Sequence, residues 1–377
     1  MKLQTLIDSH KVVITVGAGG VGKTTLAAAI GVHMARQGKR VMVVTIDPAK
    51  RLATALGIGE IGGTARRIDL QGHEAVPGGF VDIMMLDAQK VFTDLIHRTV
   101  TDDAKREKIL NNKFFKLFTE AMGGTQEHSA VEKLADLLEK DSYDLIILDT
   151  PPSRHALEFL TSPRRIMSLL DDKVLRWLAV PAGTGMAVFS FGSKYIGKIL
   201  SVFAGAEALA EVSEFIAMSL DQFRYLRDRA VVVDALLRQH DTLYLVVGSP
   251  ERHGIEGALM FHRALTQDGY QVGAYIINRV RKKVPGIPGL ESMQSLYDGV
   301  TSRSASYVST LKESLERHCR IADIHLEKVQ EIIRATGGMY PVFAVPAFVE
   351  EIVSISGVMS LADRLFDATS LTPAELE

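Results

Sequence analysis

Lys23, Thr24, Asp47 and Asp149 are the side chains whose types and settings in this chain suit phosphoryl chemistry. The first two close the stretch GAGGVGKTT, residues 17–25, whose first eight residues fit G-x-x-x-x-G-K-[ST] without a mismatch. In such a loop Gly17, Gly19, Gly20 and Gly22 let the backbone curl, so that successive N–H groups face phosphate oxygens. Gly19, Gly20, Val21, Gly22, Lys23, Thr24 and Thr25 are therefore the expected nucleotide-binding set. Lys23 supplies a full positive charge to the β- and γ-phosphates, and the Thr24 hydroxyl coordinates Mg²⁺.

The loop needs a strand before it and a helix after it. KVVITV, residues 11–16, is short, β-branched and apolar, as a buried parallel strand is. TTLAAAIGVHMARQGKR carries small and apolar residues at helical spacing and reaches a stop at Gly38. A glycine-rich turn with no ligand is the bland alternative; the length of the pattern and its setting select against it.

Two more strand ends carry carboxylates. Asp47 follows VVTI at the sheet edge where the loop lies, and there it either orients the attacking water or caps the helix expected near Lys50. Position alone leaves both readings standing. LIILDTPPS puts Asp149 behind four apolar residues, the Walker B form, which holds Mg²⁺ through water; the DTPPS segment can respond when the γ-phosphate leaves. Asn278 ends a further strand, YIINRV, and its amide can pair with a purine edge. No acidic residue follows two positions on, which favours ATP over GTP.

The chain has 377 residues, 47% hydrophobic and 23% charged, with a net charge of −2. Nothing in that balance argues for nucleic acid or an anionic membrane. RVRKK, residues 279–283, reads as a solvated loop start. One cysteine, Cys319, excludes an internal disulfide and a cysteine-pair metal clasp within the chain. No signal-peptide core and no apolar run of membrane-spanning length is present, so a soluble, cytoplasmic protein is expected.

Apolar runs at 12–16, 40–46, 80–86, 143–148, 242–247, 272–277 and 341–345 alternate with helical patterns, which predicts an α/β fold with a doubly wound, mostly parallel sheet. Two intervals, 87–142 and 151–241, contain helical patterns and no convincing strand. They predict a helical subdomain inserted into a single domain that takes in residues 1–377. A long helix is expected from about 304 to 335.

GAGGVGKTT, TIDPAKRLATALG, LDTPPSRHALEFL, INRV and VPAFVEEIVSISGVMSLADRLF, in this order, resemble the ArsA family of ATPases. The resemblance covers about residues 11–366 and implies a phosphate-loop NTPase of the deviant Walker A class, with ATP and Mg²⁺ as ligands. The family's D-P-A-H-[SN]-L reads DPAKRL here, which gives Asp47 the role of the water-orienting carboxylate. Its D-T-A-P-T-G-H-T reads DTPPSRHA, aligning Asp149, Ser153 and His155. Asn278 matches the adenine-contacting asparagine, and Pro346 the segment lying against the base. Family members are dimers whose helical subdomains rearrange with nucleotide state.

Three departures matter. No C-x-x-C follows Asn278, which excludes a zinc-clasped homodimer, and a single cysteine cannot build a three-thiolate arsenite site. Ala18 stands where the family's K-G-G-x-G-K-[ST] begins with the lysine that enters the neighbouring subunit. A slow ATPase, a mixed dimer with a related subunit that retains the lysine, or a charge supplied by Lys50 or Arg51 would each accommodate this. The leading functional expectation is a homo- or mixed-dimeric ATPase that couples nucleotide state to an apolar client or membrane-protein partner, without nucleic acid. Its candidate surface is the Met and aromatic content of the helical intervals: Phe114, Phe115, Phe118, Met122, Met167, Trp177, Met186, Phe189, Phe191, Phe203, Phe215 and Met218. Helix-packing core is the plainer reading of any one of these. The alternative function is a metabolic or regulatory ATPase with a static helical subdomain. Too few cysteines disfavour an iron–sulfur electron-transfer ATPase, and the missing basic surface disfavours a DNA-partitioning one.

Overall fold

A computed structural model describes residues 1–47, 51–70, 76–116, 126–152, 154–173, 175, 214–282 and 302–371. Strands form where the chain is apolar at nearly every position, because both faces of the sheet are covered. They are β1 (Val12–Gly17), β2 (Arg40–Thr45), β3 (Arg66–Arg67), β4 (Phe80–Met85), β5 (Leu145–Asp149), β6 (Thr242–Gly248), β7 (Val272–Val280) and β8 (Val342–Pro346). Their order is β3-β4-β2-β5-β1-β6-β7-β8. All neighbours pair in parallel except β3 with β4. The sheet is thus the doubly wound, mostly parallel one that the apolar runs predict. β3 has no apolar signature: two exposed arginines form it, and Arg67 forks onto Asp82 while its guanidinium covers the Phe80 ring at 3.5 Å.

The helices divide between the two faces. On one lie α1 (Leu3–Asp8), α2 (Lys23–Arg36), α3 (Arg51–Leu56) and α11 (Ile355–Asp367), packed on Val13, Val43, Ile147, Leu245 and Ile276. On the other lie α4 (Ala88–Thr99), α6 (Gln126–Lys140), α7 (Arg154–Leu169), α8 (Leu220–Arg238), α9 (Arg252–Gln267) and α10 (Ser302–Ala335), while α5 (Asp103–Asn111) adds Ile109 to the same cluster. That second core runs without a break from Ile14, Val44 and Leu148 in the sheet out to Phe215 and Phe223. α1 was not legible as a helix, yet Leu3 and Ile7, one turn apart, are fully buried.

Charge also binds the helical layer. Glu132 of α6, 1% exposed, accepts from Arg98 of α4 and from Arg229 of α8. Arg98 also pairs with Asp136, and Arg229 with Glu139, so both arginines face two carboxylates. Removing one partner from such a cluster leaves a desolvated charge behind, which ties the three helices into one unit. Of the Met and aromatic side chains expected to face a client, Phe114, Phe115 and Phe215 are at most 7% exposed, and Met167 and Met218 pack against the same core. These five are packing residues. Phe118, Met122, Trp177, Met186, Phe189, Phe191 and Phe203 lie outside the described residues, as does the loop at 283–301. Among the described residues no helix is long and apolar enough to cross a membrane.

His33 gives this packing a pH signature. Its ring stacks on Phe366 of α11 at 3.6 Å and 6°, and neither ring nitrogen has a hydrogen-bond partner. Burial, helped by Arg36 and opposed by Asp363, Asp367 and Asp8, pushes its pKa down to about 4. Between pH ~6.5 and ~4 the unfolded chain binds a proton that the folded chain refuses, so stability is lost as pH falls through that window. His33→Phe should flatten the fall in Tm there, measured as wild type minus variant; parallel Tm–pH curves would contradict the assignment.

Candidate active site

The strand order sets three tips side by side. β5 lies between β2 and β1, and Asp149 is in register with Thr45 on one side and Thr15 on the other. Residues in register share a face, here the face under α2. Asp149 is 0% exposed. Its Oδ2 accepts from the Thr24 hydroxyl at 2.7 Å and from Thr45 at 3.0 Å, and its Oδ1 accepts from Thr15 at 3.4 Å. Burial nevertheless pushes its pKa up to about 6, against the pull of Thr24 and Lys23. A buried carboxylate that holds its charge so reluctantly suits a cation. The hydroxyl of Thr24 beside it completes the oxygen donor type that Mg²⁺ prefers. The residues expected to hold Mg²⁺ therefore fit that ion. Sequence reasoning missed Thr15 and Thr45; the one available signal was a threonine near the end of each otherwise apolar strand.

The loop between β1 and α2 leaves Gly19 and Gly20 exposed and buries Val21. Gly22 is the N-cap of α2 at φ 96°, and a Cβ there would stand 2.3 Å from Asn278 Nδ2. Only glycine allows both the left-handed backbone and that approach. α2 starts without a capping side chain and without an acidic residue in its first turn, so the helix itself offers nothing that would compete with an anion for the N–H groups of Lys23, Thr24 and Thr25. Lys23 is 5% exposed and its ammonium donates to the carbonyls of Gly17 at 3.1 Å and Ala18 at 3.0 Å. Burial lowers its pKa, while Asp149 and Asp47 raise it.

Asp47 follows β2 by two residues and is 7% exposed. Its Oδ2 lies 3.4 Å from Nη1 of Arg51, the first residue of α3. Pro48 to Lys50 fall outside the described residues. Asp47 and Asp149 each act electrostatically on Lys23, so the two carboxylates and the ammonium form one site. The segment after Asp149 leads away from it. Thr150 donates to Thr15 O at 2.6 Å, Pro152 stands 3.5 Å from where a Gly19 Cβ would be, and His155 Nδ1 lies 3.2 Å from both Glu127 of α6 and Glu158 of α7. Ser153 lies outside the described residues.

Asn278 sits in a bulge of β7, where the pairing with β8 shifts between Ile277 and Val280 and Arg279 adopts φ 62°. A bulge of this kind turns a side chain out of the strand's alternation. The Asn278 amide is aimed at the phosphate loop, donating to Val21 O at 2.9 Å and accepting from Arg279 N at 3.0 Å. It braces the loop here. Pro346 ends β8 beside Val280, with Ala347 N bonded to Val280 O at 3.0 Å. The bulge had no signature in the sequence.

A parallel sheet whose inner strand runs into this loop, with a buried carboxylate at the next tip, defines a phosphate-loop nucleoside triphosphatase. Comparison with known proteins narrows the class: the sequence profile of the anion-transporting ATPase (ArsA ATPase) family matches residues 10–285. The chain belongs to this family of ATPases. It is 22% identical to a putative arsenical pump-driving ATPase 1 of Aquifex aeolicus over 367 residues, 94% of this chain and 78% of that protein. It is 22% identical to an ATPase GET3 of Malassezia globosa over 372 residues, 96% of this chain and 93% of that one. A putative arsenical pump-driving ATPase of Halobacterium salinarum is 28% identical over 191 residues, 48% of this chain and 28% of that protein. The chain thus spans little more than a quarter of this relative and of the Acidiphilium multivorum arsenical pump-driving ATPase, of which 26% is matched.

Lys23→Ala should abolish the nucleotide-dependent rise in Tm, since no other buried ammonium faces the loop among the described residues. A variant that ATP stabilises as well as the wild type would remove Lys23 from the site.

Proposed function

We propose that the chain binds Mg·ATP at this loop, hydrolyses it, and passes the change in nucleotide state to the helical layer. Lys23 and the loop N–H groups hold the β- and γ-phosphates. Thr24, and Asp149 through water, hold the Mg²⁺, whose charge offsets that of the phosphates. Asp47 orients a water whose oxygen bonds to the γ-phosphorus. The bond from that phosphorus to the β–γ bridging oxygen breaks, and ADP leaves with the electron pair. The water's proton departs by way of Asp47 or the phosphate itself. Asn278 and Pro346 flank the base.

The observation that carries the coupling is the bridge from His155, six residues beyond Asp149, to Glu127 of α6. A shift of the 150–155 segment when the γ-phosphate leaves has a direct handle on the helix that carries Glu132. We further propose that residues 87–142 and 151–241 act as a helical subdomain in a dimer, formed with a second copy or a related subunit. That subdomain would handle an apolar client or partner protein, and the relatives named as pump-driving ATPases, which act on a partner, supply the precedent. A static helical layer is the second reading. It is favoured by the burial of Phe114, Phe115 and Phe215.

Asp47→Asn keeps the shape and loses the basicity, so ATP should still bind while turnover falls ~10²-fold. Held in ATP, this variant should show hydrogen exchange in α6, α7 and α8 different from the ADP state. Equal exchange in the two states would favour the static layer; unchanged turnover would return Asp47 to a structural role.

A further inference from the structure

The residue at position 18 is closed to the role that a lysine would have there. Ala18 is 0% exposed, and a Cβ on Gly257 of α9 would lie 2.7 Å from its own Cβ. The small side chains at 18 and 257 are what let α9 lie against the phosphate loop. A second copy of this chain would bring the same alanine, so neither copy carries a cation at this position. Yet the site has two carboxylates, Asp47 and Asp149, around one ammonium, Lys23. A triphosphate adds further negative charge, concentrated on the γ-phosphoryl group as it transfers.

Arg51 is placed to answer that charge from within the chain. Its backbone is fixed: it opens α3, whose Leu52, Ala53 and Leu56 are buried in the α2–α11 core. Its side chain is 54% exposed and turns back to Asp47, with Nη1 3.4 Å from Oδ2. Among the described residues, its charge also opposes that of the Lys23 ammonium. An exposed arginine that pairs with Asp47 and acts on the charge of Lys23 stands on the side of the site where a γ-phosphoryl group would meet both.

We propose that Arg51 acts in cis as the charge that the loop lacks, donating to γ-phosphoryl oxygens and stabilising them in transfer, so that hydrolysis needs no lysine from a partner subunit. This rests on the ATPase reading above. The reaction is the same: water bonds to the γ-phosphorus, the bond to the bridging oxygen breaks, and ADP keeps the electron pair. Arg51 transfers no proton; its guanidinium stays charged throughout and supplies hydrogen bonds in a fixed fork, which a lysine cannot reproduce.

The test uses the full chain with Mg²⁺, ADP and aluminium fluoride, which together mimic the phosphoryl group in transfer, alongside steady-state ATPase rates. The wild type should bind ADP and bind it more tightly with aluminium fluoride, with a specific activity that is constant on dilution. Arg51→Ala should keep ADP affinity within about threefold, lose the gain from aluminium fluoride, and lower kcat by ~10³-fold, as an arginine finger does. Millimolar guanidinium should restore part of that kcat, which a merely structural role would not allow. Arg51→Lys, which retains the ion pair with Asp47, should remain well below the wild type. If Arg51→Ala keeps the aluminium fluoride gain and a kcat within threefold of wild type, the proposal is wrong. It is also wrong if wild-type specific activity climbs in proportion to protein concentration and Arg51→Ala follows it. A wild type that fails to bind ADP would overturn the nucleotide site itself, and the arginine's role with it.

Discussion

One ionisable group sets the terms for the rest of this fold: Asp149, a carboxylate with no exposure at the tip of an inner strand. An unpaired charge in such a place is strongly disfavoured, so the chain surrounds it with hydroxyls from both neighbouring strands and from the first turn of α2. Those hydroxyls still leave its proton affinity high. The remaining demand is for positive charge, which Lys23 meets in part from within the loop and which a divalent cation would meet in full. The sheet order, the placing of α2 and the depth of Lys23 all follow from keeping that carboxylate central and dry.

The demand also explains the asymmetry of the two layers. The α2 face is built for proximity: a run of Ala, Gly31 and Leu26 brings the helix close to β1, β2 and β5, with a Cβ on Gly31 only 2.6 Å from Val43. The opposite layer is built from longer helices held by both apolar contact and the Arg98–Glu132–Arg229 cluster. The first layer carries α2, whose N-terminus closes the loop proposed to hold the phosphates. Within the second, the His155–Glu127 contact ties the start of α7, just beyond Asp149, to α6.

Much of this could be read in the residues. The inner strands announce themselves because covering on both faces leaves no alternation to confuse, and the loop, Asp47 and Asp149 fall at strand ends that composition alone locates. What could not be read depends on which strands become neighbours. Thr15 and Thr45 become partners of Asp149 only through the β2-β5-β1 order. Asn278 turns to the loop only because of a bulge, and Ala18 is sealed by Gly257, a residue remote in sequence. Phe114, Phe115 and Phe215 follow the plainer reading, helix-packing core, which the sequence could not separate from a client surface because a Phe on a helix carries no mark of which side it presents. The two-residue β3 rests on arginine contacts and not on apolar pattern.

We propose Asp149 as the group through which the metal–nucleotide pair is held. The direct measurement is ATP affinity with Mg²⁺ and with excess chelator, for the wild type and for Asp149→Asn, alongside Tm to verify folding. The wild type should bind ATP markedly more tightly when Mg²⁺ is present, and the variant should lose that difference while remaining folded. An Asp149→Asn protein that keeps the full Mg²⁺ dependence would contradict the account.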